Sequence, residues 1–122
     1  MEWLTYRGAP VYMPMGHSPD VDVVAWWEGR FAGIQVKTTL RRTSGGRWQP
    51  MLCTRGGNRS WGGVSKLFDS SRCDYLFVLV GDGRRWFIPS GSVAAHTAIA
   101  LGGPKYAEFE VERGRPILSA VA

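Results

Sequence analysis

Apolar and polar positions change period several times along this chain, and each change predicts an element. The opening "MEWLTYRGAP" has room for barely one helical turn before Gly8 and Pro10 interrupt it. "VYMP" (11–14) predicts a short strand ended by proline. "VDVVAWW" (21–27) and "FAGIQVKTTL" (31–40) are β-branched and aromatic runs joined by the turn "EGR" (28–30), which makes the clearest hairpin in the chain. Residues 41–63 are turn-rich, with one strand expected at Trp48–Thr54. "VSKLFDSS" (64–71) reads as a modest helix. "SGSVAAHTAIAL" (90–101) reads as another, capped by Ser90 or Ser92 and ended by Gly102, Gly103 and Pro104. Between them, "DYLFVLV" (74–80) is the apolar run of a strand covered on both faces, and "GDGRR" (81–85) turns the chain into "WFIP" (86–89). "YAEFEVERG" (106–114) alternates as a final strand. The sum is one small α/β or α+β domain over residues 1–122, a central mixed β-sheet flanked by a few short helices.

The hairpin sorts its side chains. With Glu28 and Gly29 as a two-residue turn, Trp27 faces Arg30, Asp22 faces Gln35 and Asp20 faces Lys37. Alternation along each strand then puts Asp20, Asp22, Gln35 and Lys37 on one side, and Val21, Val23, Ile34 and Val36 on the other. Trp26 and Trp27 point to opposite faces, so at least one belongs to the core. Polar-out, apolar-in alternation is also what an ordinary half-exposed hairpin shows. Two features argue for more: aspartate is depleted in strands, and Lys37 is flanked by apolar residues on a strand that reads as central.

Charge adds a second region. The chain carries a formal charge of +5 from 15 basic and 10 acidic residues, and only three of the basic ones (Lys37, Lys66, Lys105) are lysine. Arginine offers the better fork to phosphate oxygens, and net positive charge suits a polyanionic partner. From Gly29 to Phe68 there is no acid, whereas Arg30, Lys37, Arg41, Arg42, Arg47, Arg55, Arg59 and Lys66 all fall there. Glycine pairs at 45–46, 56–57 and 62–63 would let backbone approach a ligand closely. A solvated arginine-rich loop gives the same composition; its position beside the polar hairpin face favours contacts along a nucleic-acid backbone. Trp48, Trp61 and Trp86 read as structural anchors rather than base-stacking platforms. Cys53 and Cys73, with only His17 and His96 for company, are too sparse for structural zinc. No membrane-spanning run or secretory start is evident, so the expected location is cytoplasmic, with reduced thiols.

Two aspartates, an amide and a lysine on one face can serve phosphodiester hydrolysis. A hard cation held by oxygen ligands neutralises developing charge, and a neighbouring lysine can orient or deprotonate the attacking water. The segment "SPDVDVVA…GIQVKTT" resembles the core of the PD-(D/E)XK nuclease superfamily: an Asp near a strand start, a hairpin, then acid-x-Lys on the next strand. Within it, the chain looks like the group I intron-associated, homing-endonuclease-like branch, in which Gln replaces the usual acid. The likeness continues through "CDYLFVLVGDGRRWFIP" (73–89) and "AIALGGPKYAEFEV" (98–111).

The resemblance implies a restriction-endonuclease-like core. It further implies Asp22 as the metal-binding acid, with Asp20 as second choice, Gln35 as a neutral ligand offering a carbonyl oxygen, and Lys37 as the catalytic lysine. Mg2+ is the implied cofactor, with Mn2+ as a substitute. Arg41, Arg42, Arg47, Arg55, Arg59 and Lys66 would hold phosphate. The implied activity is a metal-dependent DNA endonuclease acting on double-stranded or branched DNA. Cutting both strands needs two sites, hence a homo-oligomer, dimer or tetramer. Two alternatives share the fold: a Holliday-junction-resolvase-like nuclease, and a catalytically weak or silent DNA-binding module. The branch normally places an acidic residue on a helix before the first strand, and only Glu2 is available here.

Overall fold

The computed structural model describes residues 2–16, 20–55 and 65–117. Helix α1 (Glu2–Tyr6) is the single turn expected, and buries Trp3 and Leu4. Strands β1 (Val11–Tyr12), β2 (Val23–Trp27) and β3 (Arg30–Thr39) follow, then β4 (Thr54–Arg55), β5 (Ser65–Lys66), β6 (Tyr75–Val80), β7 (Arg85–Pro89) and β8 (Glu110–Val111). Six of them form one sheet in the order β1-β2-β3-β6-β7-β8, while β4 and β5 pair separately. Only β3 and β6 run parallel, with Gln35 beside Leu76 and Lys37 beside Val78. All other pairs are antiparallel, so the fold is a mixed α+β one with few helices.

The hairpin register is the expected one: Trp27 pairs Arg30 and Val23 pairs Ile34. Its tight turn puts Glu28 and Gly29 at φ of 51° and 81°. Two consecutive positive φ values mark the type I′ turn whose twist matches the flanking strands.

A parallel pair requires a long crossover. Here the described part of the connection from β3 to β6 (40–55 and 65–74) holds no helix, and it packs down on what we call the front face of the sheet. Trp48, Leu52 and Phe68 of this connection, with Val93, Ile99, Leu101 and Tyr106 from the later chain, cover Leu76, Val78, Val80, Trp86 and Ile88. The back face is closed by α1: Trp3 and Leu4 pack with Val23, Ala25, Ile34, Phe77 and Phe87. Strand β6 therefore feeds both cores, as its unbroken apolar sequence requires.

Four expected elements differ. The strand expected at Trp48–Thr54 is instead a series of single bridges, Trp48 to Arg42 and Leu101, and Met51 to Ala98, before β4 begins at Thr54. No helix forms over the described part of 64–71. Ser65–Lys66 is β5, and the Asp69 carboxylate accepts from the backbone N–H and hydroxyl of Ser71, closing a turn in place of a helix. The helix expected over 90–101 is limited to a 3-10 turn at Ser90–Ser92. Beyond it the backbone bonds outward: Thr97 O accepts from Leu52, His96 O accepts from Phe68, and Leu101 exchanges both bonds with Trp48. Alanine-rich helix propensity yields to these tertiary partners. The final strand shortens to Glu110–Val111, preceded by a 3-10 turn at Ala107–Phe109.

Candidate active site

Strand β3 changes character halfway. From Arg30 to Ile34 it has β2 on one side, and from Ile34 to Thr39 it has β6 on the other. Past Ile34 the β2 ladder ends, so among the described residues no strand pairs with Val36–Thr39 on that side. Asp22 sits at this break. Its N–H still donates to Ile34 O at 2.9 Å, but its carboxylate has taken the place of a strand, Oδ2 accepting from Val36 N–H at 2.7 Å. Val36 lies between Gln35 and Lys37, so Asp22, Gln35 and Lys37 meet at one short stretch of backbone.

Asp20 goes elsewhere. Val21 crosses to the front face and packs over Gly33, where an added Cβ would lie 3.0 Å from Val21 Cγ2. Val21 therefore joins the front core rather than the back one, against strict alternation. This carries Asp20 to the start of β6, where its Oδ2 is 3.4 Å from Arg72 Nη1. The expected pairing of Asp20 with Lys37 is not formed because the extended run ends before it.

Gln35 is buried at 8% exposure, not on a wet face, and its front-face neighbours are core residues. Its carbonyl is a neutral oxygen at the edge of a water-poor region. Lys37 is half-buried and makes no hydrogen bond or ion pair among the described residues. Below them the Cys73 thiol contacts Ser90 Oγ at 3.2 Å, and burial, ahead of any charge nearby, pushes it up. Cys53 and Cys73 are both free, and among the described residues no three His, Cys, Asp or Glu side chains converge as a metal cage.

The basic residues divide. Arg41 is exposed directly after β3, its N–H held by Thr39 Oγ1 at 3.0 Å. Arg42 stacks its guanidinium 3.9 Å from the Trp48 ring centroid. Arg47 is partly committed inward, donating to Gly102 O at 3.1 Å. Arg55 and Lys66 lie on the paired backbones of β4 and β5. Arg59, like His17 and Trp61, lies outside the described residues.

The pattern of apolar and polar residues does not reveal three other polar features. Asp74 takes Arg30 Nη2 at 2.6 Å and Gly33 N–H at 2.7 Å, fastening the hairpin to β6. Arg84 and Glu110 form a two-pronged pair at 2.8 and 2.9 Å. Arg85 is buried at the start of β7. Their only sequence signal is a charge at the lip of an apolar run.

This sheet, with its hairpin, parallel β3–β6 pair and short peripheral elements, is a mixed α+β fold with few helices. The particular likeness is to the structure of a bacterial homing endonuclease, I-Ssp6803I, with a TM-score of 0.72 and 18% identity over 89% of this chain and 79% of that one. At that identity the likeness establishes the fold. No protein-family model matches the chain, and no curated protein matches it in sequence. Among the described residues no helix is long and apolar enough to cross a membrane.

Proposed function

We propose that this chain is a metal-dependent DNA endonuclease of the PD-(D/E)XK type, homing-endonuclease-like, with Gln35-x-Lys37 in place of acid-x-Lys. One observation carries the reading: the Asp22 carboxylate is anchored to Val36 N–H, between Gln35 and Lys37, where β3 loses its β2 partner. The nuclease-like fold supports it.

The donor set fits a hard cation. Asp22 has one carboxylate oxygen beyond the one bonded to Val36, and Gln35 has an amide oxygen. Two protein oxygens, with water for the rest, suit Mg2+, which keeps much of its hydration shell, and Mn2+ accepts the same donors. Bound there, the cation would supply charge neutralisation at the scissile phosphate. The chain does the remainder. Val36 N–H fixes the Asp22 carboxylate, so no reorientation is needed on binding. Lys37, unpaired among the described residues, is available to orient the attacking water and to stabilise the phosphorane-like oxyanion. Arg41 and Arg42 leave the open end of β3 and would hold the flanking phosphates. Water adds to phosphorus as one P–O ester bond breaks, and its proton leaves to solvent or to the departing oxygen.

Gln35 removes one negative charge from the site, which favours weak catalysis and keeps a silent DNA-binding module of the same fold as the second reading. Plasmid and branched DNA incubated with Mg2+, Mn2+ or EDTA, using wild type and Lys37→Ala, separate these. The expected outcome is metal-dependent nicking or cutting, reduced about 10²–10⁴-fold in Lys37→Ala and abolished by EDTA. Cleavage that survives EDTA, or that Lys37→Ala leaves undiminished, defeats the proposal, and binding without cleavage transfers it to the silent module. Preference for branched over linear DNA would select the junction-resolving alternative. We further propose a homo-oligomer, since two strands require two such sites.

A further inference from the structure

We infer that a cavity on the back face, behind the open half of β3, binds the phosphate-bearing unit of a nucleotide through Arg85. The cavity measures ≈ 260 Å³, just below the usual range of ligand sites, room for a phosphate and part of the sugar or base it carries. Val36 and Thr38 form one wall, and both alternate with Lys37, so the cavity lies across the strand from the proposed catalytic face. Trp3, Phe77 and Leu79 supply an apolar floor, and Arg85 and Arg115 supply charge.

Arg85 is the reason to assign an anion. It is 8% exposed, and among the described residues its guanidinium has two contacts: Nε donates to Glu112 O at 2.7 Å, and Nη1 lies 3.7 Å from Glu2 Oε1. A guanidinium has five N–H donors, and Arg85 lines the cavity, so donors beyond these two contacts are available to a ligand there. The backbone is shaped around it. A Cβ at Gly114 would sit 2.9 Å from Arg85 Nη1, so a larger residue there would press on the guanidinium. Nearby, the buried Trp3 indole N–H has no hydrogen-bond partner of good geometry among the described residues, although Glu112, held below its usual range first by its own backbone N–H and then by this indole, lies close.

Glu112 is drawn towards Arg7 at 3.8 Å, which leaves Glu2 as the carboxylate facing Arg85. Glu2 is 75% exposed on a one-turn helix and can swing into water. A phosphate would displace it, accept a two-pronged bond from Arg85 and meet Arg115, while sugar or base rests on Trp3 and Leu79. A free nucleoside monophosphate and a nucleotide of a DNA strand lying along the β3 edge present this same chemistry. The inference needs neither metal nor cleavage, so it can fail or succeed apart from the nuclease reading.

The test is ¹H–¹⁵N NMR of the intact chain, following the Trp3 indole and Arg85 Nε signals. The probes are 5′-dAMP, inorganic phosphate, and a short oligonucleotide with and without a 5′-phosphate. Saturable movement of both signals with 5′-dAMP or with either oligonucleotide supports the site. 5′-dAMP alone would make the source a free nucleotide; the oligonucleotides alone would make it the DNA strand. Glu2→Gln should tighten binding about 2–5-fold by releasing Arg85, and Leu79→Trp should abolish it by filling the cavity. No movement, weaker binding by Glu2→Gln, or inorganic phosphate binding as tightly as 5′-dAMP would overturn the inference.

Discussion

Strand β3 contains two regions that share a backbone and differ in what surrounds it. Its first half is paired and packed: Ala32 and Ile34 are almost or fully buried, and β2 satisfies the edge. Its second half keeps β6 but has lost β2, and a side-chain carboxylate rather than a strand meets Val36. The first half spends its side chains on the core. In the proposed site the second supplies an edge, an acid and a lysine, carried on a strand that the first half and β6 anchor. A site built on strands rather than loops inherits that rigidity.

The comparison is broken most severely in the packed half. Ile34→Ala should cost about 2–5 kcal/mol, because a side chain with no exposure leaves a cavity between α1 and the sheet. Lys37→Ala, three residues on, should change stability by less than about 0.5 kcal/mol while removing cleavage. Urea denaturation of the two variants checks this, and a large destabilisation by Lys37→Ala would erase the distinction between the halves.

The junction between hairpin and β6 comes next. Asp74→Ala removes both the Arg30 ion pair and the acceptor for Gly33 N–H, and should cost about 1–3 kcal/mol. If a double variant, Arg30→Ala with Asp74→Ala, is no more destabilised than Asp74→Ala alone, the two partners act as one fastening.

The smallest effect lies at the far edge of the sheet. The Arg84 hydrogen bonds, and then its charge, hold the Glu110 carboxyl below its ordinary 4.5. A depressed folded value means that this contribution is fully present above 4.5 and is lost as pH falls through the folded value. Wild type should exceed Glu110→Gln by up to about 1 kcal/mol at neutral pH, the gap closing on acidification below 4.5. Denaturation curves at neutral and acid pH measure it, and a gap that widens in acid would contradict the sign.

Local elements were legible in the residues because their causes are local. The Glu28-Gly29 turn sets the register of β2 and β3, and the unbroken apolar run of 75–80 announces a strand with two covered faces. Residues 90–101 were not legible, because their backbone partners are Trp48, Leu52 and Phe68, far away in the chain, and alanine content speaks only for isolated helices. The same division runs through the candidate site. Alternation puts Gln35 and Lys37 on one face, and the bond of Asp22 to Val36 N–H brings its carboxylate to the backbone between them. That Val21 folds over Gly33 and takes Asp20 to Arg72 depends on a contact 52 residues away in sequence, which no local pattern contains. Nor does alternation tell that the face holding Gln35 is covered by the crossover chain.

The central claim, that the unpaired half of β3 with Asp22 is where a cation binds, is tested most directly by paramagnetic broadening. With trace Mn2+ added to ¹⁵N-labelled protein, the amides of Asp22, Gln35, Val36 and Lys37 should broaden first, and Asp22→Asn should remove the effect. Broadening centred instead on Asp20, Asp69 and Arg72, or unchanged in Asp22→Asn, would contradict it.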